Sequence, residues 1–200
     1  MKNKTEYLDD ITLIKDLLLS VEEKSLIEYW TFYVWGILVI AGTFFHWYFS
    51  KMAHFNPEQL FYFIWLPLIL ICGLAETVSW VRKAGKDSRP LFTRPVIKYL
   101  SAWAAILIGG IFLILLLMEQ GNFNYLPAAI LAFSANIIIF YGMISYNILM
   151  KAGYAMISIA VFMFLFKVTG TPLLLISGIS GGFISILAGV MIQRKESHGK

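Results

Sequence analysis

Residues 127–147, PAAILAFSANIIIFYGMISYN, constrain the chain more than any other stretch. A helix needs about 20 apolar residues to cross the hydrocarbon core of a bilayer. This stretch has that length and carries no charge. At about 100° per residue, Ser134, Tyr141 and Ser145 fall on one face, and Asn136, Met143 and Asn147 on the opposite face. Polar groups on both faces are badly placed against lipid, which offers them no partner. The pattern predicts a spanning helix with other helices around it.

Five more apolar blocks flank it, at residues 29–49, 60–80, 99–118, 154–166 and 173–192. The expected fold is all-α: an integral membrane bundle of six transmembrane helices with an N-terminal cytoplasmic amphipathic helix. Its parts are that helix at residues 1–28, the transmembrane domain at 29–192 and a cytoplasmic tail at 193–200. A hydrophobic content of 59% in 200 residues leaves no room for a separate soluble domain. The one cysteine, Cys72, rules out an intrachain disulfide and a cysteine-based metal site. The opening MKNKTEYLDD is acidic and has no apolar core, unlike a cleavable signal peptide.

A pI near 9.1 in a soluble protein would suggest nucleic acid. Here the basic residues flank apolar blocks, where they orient the chain in the membrane, so no nucleic-acid partner is expected. With six spans and a cytoplasmic N-terminus, one side holds Lys2, Lys4, Lys15, Lys24, Arg82, Lys83, Lys86, Arg89, Arg94, Lys98, Lys151, Arg194, Lys195 and Lys200. The other side holds only Lys51 and Lys167. Fourteen against two is a strong positive-inside bias, which predicts cytoplasmic N- and C-termini in a multi-pass inner-membrane protein.

Tyr7, Ile11, Ile14, Leu18 and Val21 step by +4, +3, +4, +3, which is a heptad seam. Residues 1–28 carry seven acids against four lysines, whereas helices that lie on anionic lipid are rich in Lys and Arg. The seam is therefore expected to meet protein, either its own bundle or another chain.

Small residues favour close helix contacts in lipid. Ser101, Ala105 and Gly109 form such a row in the third span. In the sixth, Ser177, Gly178, Gly181, Gly182, Ser185, Ala188 and Gly189 form a broad small face opposite Leu175, Ile179, Phe183, Ile186 and Val190. The small face is expected to press on a neighbour.

Glu76 is the one acid within an apolar block. A carboxyl in the membrane is a functional candidate, because its charge is costly there. The blander expectation, and the favoured one, is that it reaches the interface and pairs with Arg82, Lys83 or another base of residues 81–98. Asn136, Tyr141 and Asn147 complete the candidate polar site, and helix-to-helix hydrogen bonding is the commoner use of such groups. His46 and His54 fit no metal-ligand spacing, and no nucleophile stands beside a base. No cofactor, metal or reaction is therefore expected.

Several stretches resemble a family of small bacterial membrane proteins of about this length. They are YLDDITLIKDLL, RPLFTRPVIKYL, the Gly109-Gly110 pair and the Phe140-Tyr141-Gly142 run followed by Asn147. Where that family tends to have a histidine at the end of its last span, this chain has glycine and serine. The resemblance implies a bacterial inner-membrane location and the helix count, and no activity.

The leading expectation is a non-enzymatic membrane protein that acts through association, as a homo-oligomer or as an accessory subunit to a partner membrane protein, using residues 3–28. The alternative is a small transporter or channel with a polar path through Glu76 and Asn136.

Overall fold

The computed structural model describes residues 28–52, 56–86, 94–121 and 125–198. The seam of Tyr7, Ile11, Ile14, Leu18 and Val21 lies outside the described residues, as do His54 and Arg89. Among the described residues all regular structure is helical. Helix α1 is Trp30–Phe49. Helix α2 starts with an α-turn, Pro57–Leu60, passes through a π-helical turn, Phe61–Trp65, and continues as Leu66–Lys86. Helices α3 to α6 are Arg94–Glu119, Leu126–Ile144, Asn147–Leu165 and Gly170–His198.

By length and composition, α1, α2, α4, α5 and α6 can each cross a membrane. The apolar part of α3 is shorter, Ala104–Leu117. Bulky side chains such as Phe63, Leu70, Leu74, Ile108 and Phe112 point outward, as a bundle in lipid requires.

Local chemistry accounts for the element boundaries. Pro127 sits in the first turn of α4, where its missing N–H costs no hydrogen bond. Pro67 lacks the N–H that would close the regular ladder, and its ring crowds the carbonyl of Phe63. The widened turn at Phe61–Trp65 just before it absorbs that conflict, with the Leu66 N–H bonding back to Phe61. Between α5 and α6 the chain reverses through Lys167 and Gly170, both at positive φ (52° and 66°).

Helices α4 and α5 form a tight antiparallel hairpin. The expected fourth span ended at residue 147 and the fifth began at 154. Instead the chain turns at Ser145 and extended Tyr146, and α5 begins at Asn147. Glycine explains the early reversal. A Cβ on Gly142 would stand 2.7 Å from the Met150 Cα, and one on Gly153 would stand 2.7 Å from the Ala135 carbonyl oxygen. The two backbones can approach only where those side chains are absent.

Helix α4 lies among other helices, on α3, α5 and α6 with Tyr141 reaching α2, and among the described residues only its Asn136–Met143 side is exposed. Helix α6 packs on α1, α4 and α5, while α2 lies on α1, and α3 lies on α4. Small residues again decide the matter. Gly178 packs directly on Thr43, and a Cβ on Gly182 would be 2.7 Å from the Gly36 carbonyl oxygen. Gly181 faces Leu131, and Gly189 faces Tyr33 and Phe32, while Ile179 and Phe183 point outward. In the third span Gly109 has open space where a Cβ would go, and its neighbour Gly110 takes the Phe133 ring instead. The contact with α4 is one residue out of register with the expected Ser101, Ala105, Gly109 row.

Gly178→Ala drives a methyl into Thr43 and is expected to cost about 1–3 kcal/mol, the usual range for overpacking. Gly73→Ala meets open space and, with the better helix propensity of alanine, should be neutral or stabilising by up to about 1 kcal/mol. Thermal unfolding in detergent checks both. Equal effects at the two positions would show that the α1–α6 approach does not limit stability.

Candidate functional site

Helix α2 carries Cys72, Glu76, Ser79, Lys83 and Lys86 at steps of +4, +3, +4, +3. This spacing puts all five on one face, and that face turns into the bundle. At 1.5 Å per residue the row runs about 21 Å along the helix. Four of its members are paired from other elements.

At the open end of the row, Glu28 precedes α1. Its carboxylate accepts from Trp30 Nε1 at 2.6 Å and forms an ion pair with Lys86 Nζ, while Arg82 Nε stands 3.8 Å away. Its backbone N–H donates to Ser79 Oγ at 2.5 Å, and its carbonyl accepts from Thr31 Oγ1 at 2.8 Å. Ser79 and Thr31 are fully buried. Burial works against the charge on Glu28. Hydrogen bonds from Lys86 and Trp30, with the nearby charges of Lys86 and Arg82, outweigh it and hold the carboxyl below the usual range. One turn inward, Lys83 Nζ donates to Glu196 Oε1 of α6 at 2.7 Å, and Tyr146 Oη reaches the same oxygen at 3.5 Å. The start of α1, the end of α2, the α4–α5 turn and the end of α6 therefore meet at one end of the bundle.

Glu76 lies deeper. Tyr141 of α4 donates its hydroxyl to Glu76 Oε2 at 3.2 Å. The Trp35 indole of α1 also reaches the carboxyl, yet its buried Nε1 closes no hydrogen bond within normal limits. Cys72, one turn further along, is buried. Three helices thus converge on one carboxyl. Of the bases expected to pair with Glu76, Arg82 and Lys83 do not, while Arg89 and the side chains of Arg94 and Lys98 lie outside the described residues. Arg82 and Lys83 are engaged by Glu28 and Glu196, and among the described residues Glu76 forms no ion pair.

The other candidates lie apart. Asn136 is exposed on α4, where its Nδ2 donates to the Ala132 carbonyl of its own helix at 2.9 Å. It borders a groove of about 500 Å³ between α3 and α4, lined by Gly109, Gly110, Phe133, Phe140 and Met143 among others. Asn147 does not share the Asn136 face, because it opens α5 beyond the turn, and it is exposed. His46, at the far end of the bundle, accepts a hydrogen bond from Trp65 Nε1 at 3.0 Å. Among the described residues no three His, Cys, Asp or Glu side chains come together.

Glu28, Ser79, Tyr146 and Glu196 were not among the sequence candidates. One signal pointed to them: the polar residues of α2 recur at helical spacing beyond Glu76, so groups at the other helix ends had to answer them. No family model, no curated protein and no solved structure matches the chain.

Glu28→Gln should cost about 1–3 kcal/mol. It breaks a pair whose acid is buried but whose cations are largely exposed, so the value sits below that for a fully buried pair. A carboxyl held below its ordinary value of about 4.3 stabilises fully above that pH and loses its contribution as pH falls through the lower folded value. The gap in unfolding temperature between wild type and Glu28→Gln should therefore be full at pH 7 and narrow progressively as pH falls below about 4.3 through the lower folded value. A gap independent of pH would show that the charge of Glu28 is not what stabilises.

Proposed function

We propose that the protein is a proton-linked membrane carrier whose working group is Glu76. The observation that carries this reading is the Tyr141–Glu76 hydrogen bond inside the bundle, with no cation paired to the acid among the described residues. A carboxylate at such depth needs a proton or a bound cation to neutralise it. Hard metal cations such as Ca²⁺ take about six to eight oxygen ligands. Here, among the described residues, one carboxyl and one phenol meet, a donor set suited to a proton. The row on α2 supplies the approach: Lys83, Glu196 and Tyr146 form a polar step between Glu76 and the end of the bundle. Movement of α4 against α2 would break the Tyr141 contact, so protonation and helix position are coupled at one bond.

In this reading the chain crosses a bacterial inner membrane six times, with α3 as the third span and both termini in the cytoplasm. The positive-inside bias supports the orientation. So does the meeting of Glu28, the basic end of α2 and Glu196 at one end of the bundle. Glu76 then receives its proton from the cytoplasmic side.

Reconstitution into liposomes tests this. A pH gradient should drive uptake or release of a small solute or ion, followed by an internal pH dye and by isotope exchange across a solute panel. Glu76→Gln keeps an oxygen to accept from Tyr141, so it should fold normally and lose the pH-driven flux. Tyr141→Phe should retain flux with an altered pH profile. Equal flux in wild type and Glu76→Gln, or none in wild type across the panel, would leave Glu76 as helix-to-helix glue only.

A further inference from the structure

We propose that the groove between α3 and α4 is the contact face for a second copy of this chain, joined by a hydrogen-bonded pair of Asn136 side chains. This goes beyond the carrier reading and uses a different part of the bundle.

Asn136 sits midway along α4, on a helix apolar enough to span a membrane. One amide hydrogen is engaged by the Ala132 carbonyl. The side-chain oxygen and the second hydrogen have no partner among the described residues, although the residue is exposed. An amide left in this condition in hydrocarbon is costly. A covering partner must bring both an acceptor and a donor to this depth.

Asn136 itself meets that need. An amide is self-complementary, since its N–H donates to the oxygen of a second amide and its oxygen accepts in return. Two copies inserted with the same orientation and related by a two-fold axis along the membrane normal place each residue opposite its equivalent depth. A unique mid-membrane amide then meets its own copy without further adjustment. The surrounding pattern suits such a contact. Ala129, Ala132, Asn136 and Met143 lie along the α4 side of the groove, one polar position among apolar ones, and such a position fixes register and partner number. Ala129, Ala132 and Gly109 keep the groove shallow enough for a second helix to approach, and Met143 stands 65% exposed at its edge.

The test uses the full-length chain in native membranes with Cys72 replaced by Ser. Met143→Cys on this face should give a disulfide-linked dimer on mild oxidation. Phe183→Cys, on the outward face of α6, should not. In detergent or bicelles, Asn136→Leu in both copies removes two interhelical hydrogen bonds and should weaken dimerisation by about 10-fold or more, and Asn136→Gln should restore most of it. Equal crosslinking at 143 and 183 would mean random collision and overturn the proposal. So would a monomeric mass carrying a bound acyl lipid, or a crosslink from 143 to a different polypeptide. Loss of flux in Glu76→Gln with the dimer intact would separate this interface from the carrier site.

Discussion

A polar group inside a lipid-embedded bundle must find its partner within the protein, and the placement of α2 depends on this constraint. Helices α1, α4, α5 and α6 hold one another through small residues, as at Gly36 against Gly182 and Gly153 against Ala135. Helix α2 brings no glycine of its own to a neighbour, since Gly73 and Gly85 both meet open space, but its Leu68 packs on Gly42 of α1. Beyond that contact its rotation is set by the row of Glu76, Ser79, Lys83 and Lys86, each answered from another element. Water does not compete for these groups in the apolar region, so one wrong rotation of α2 would strand several of them at once. The row therefore selects an orientation more sharply than dispersion contacts between outward-facing Leu and Ile could.

Two mechanisms of packing imply two kinds of mobility. A glycine-lined contact has many atoms at van der Waals distance and shifts only by repacking. A single hydrogen bond such as Tyr141 to Glu76, at 3.2 Å, can open and close without disturbing its neighbours. The ionic end, with Glu28 taking Lys86, Trp30 and Ser79 together, is the stiffer anchor. Helix α2 is thus tied to α1 near both ends, by Lys86 and Ser79 at Glu28 and by Trp65 at His46, with the lighter Tyr141 bond between them.

The sequence revealed the helices more readily than the contacts between them. Apolar blocks of spanning length made the all-helical bundle legible, because block length depends on bilayer thickness and not on tertiary detail. The small face of α6 was also readable. Its neighbours were not, since glycine spacing says that something comes close without saying what. The reversal at Ser145–Tyr146 is hidden in the sequence because Ile148, Leu149 and Met150 resume the apolar run at once, and the evidence for a turn lies in Gly142 and Gly153 on either side of it. Glu76 was recognised as unusual, but its partner was expected nearby in sequence. Tyr141 is 65 residues away, and Lys83, the near candidate, is taken by Glu196, 113 residues away. Sequence proximity to a base is weak evidence for pairing when the base projects toward a different helix.

Glu76 and Asn136 began as one candidate polar path and ended as two separate features, and their surroundings account for the division. Glu76 is half-buried and faces Tyr141 of α4, with Trp35 and buried Cys72 beside it. Asn136 faces outward across a groove with small walls, where a whole helix has access. A charged or chargeable group on the outward face would be intolerable before assembly, since the monomer must first exist in lipid. A neutral amide with one hydrogen already engaged by Ala132 costs less in that state and still favours pairing. We rest the two proposals on that difference: an acid answered from within the chain is placed to exchange a proton, and an outward amide is placed to meet a second copy.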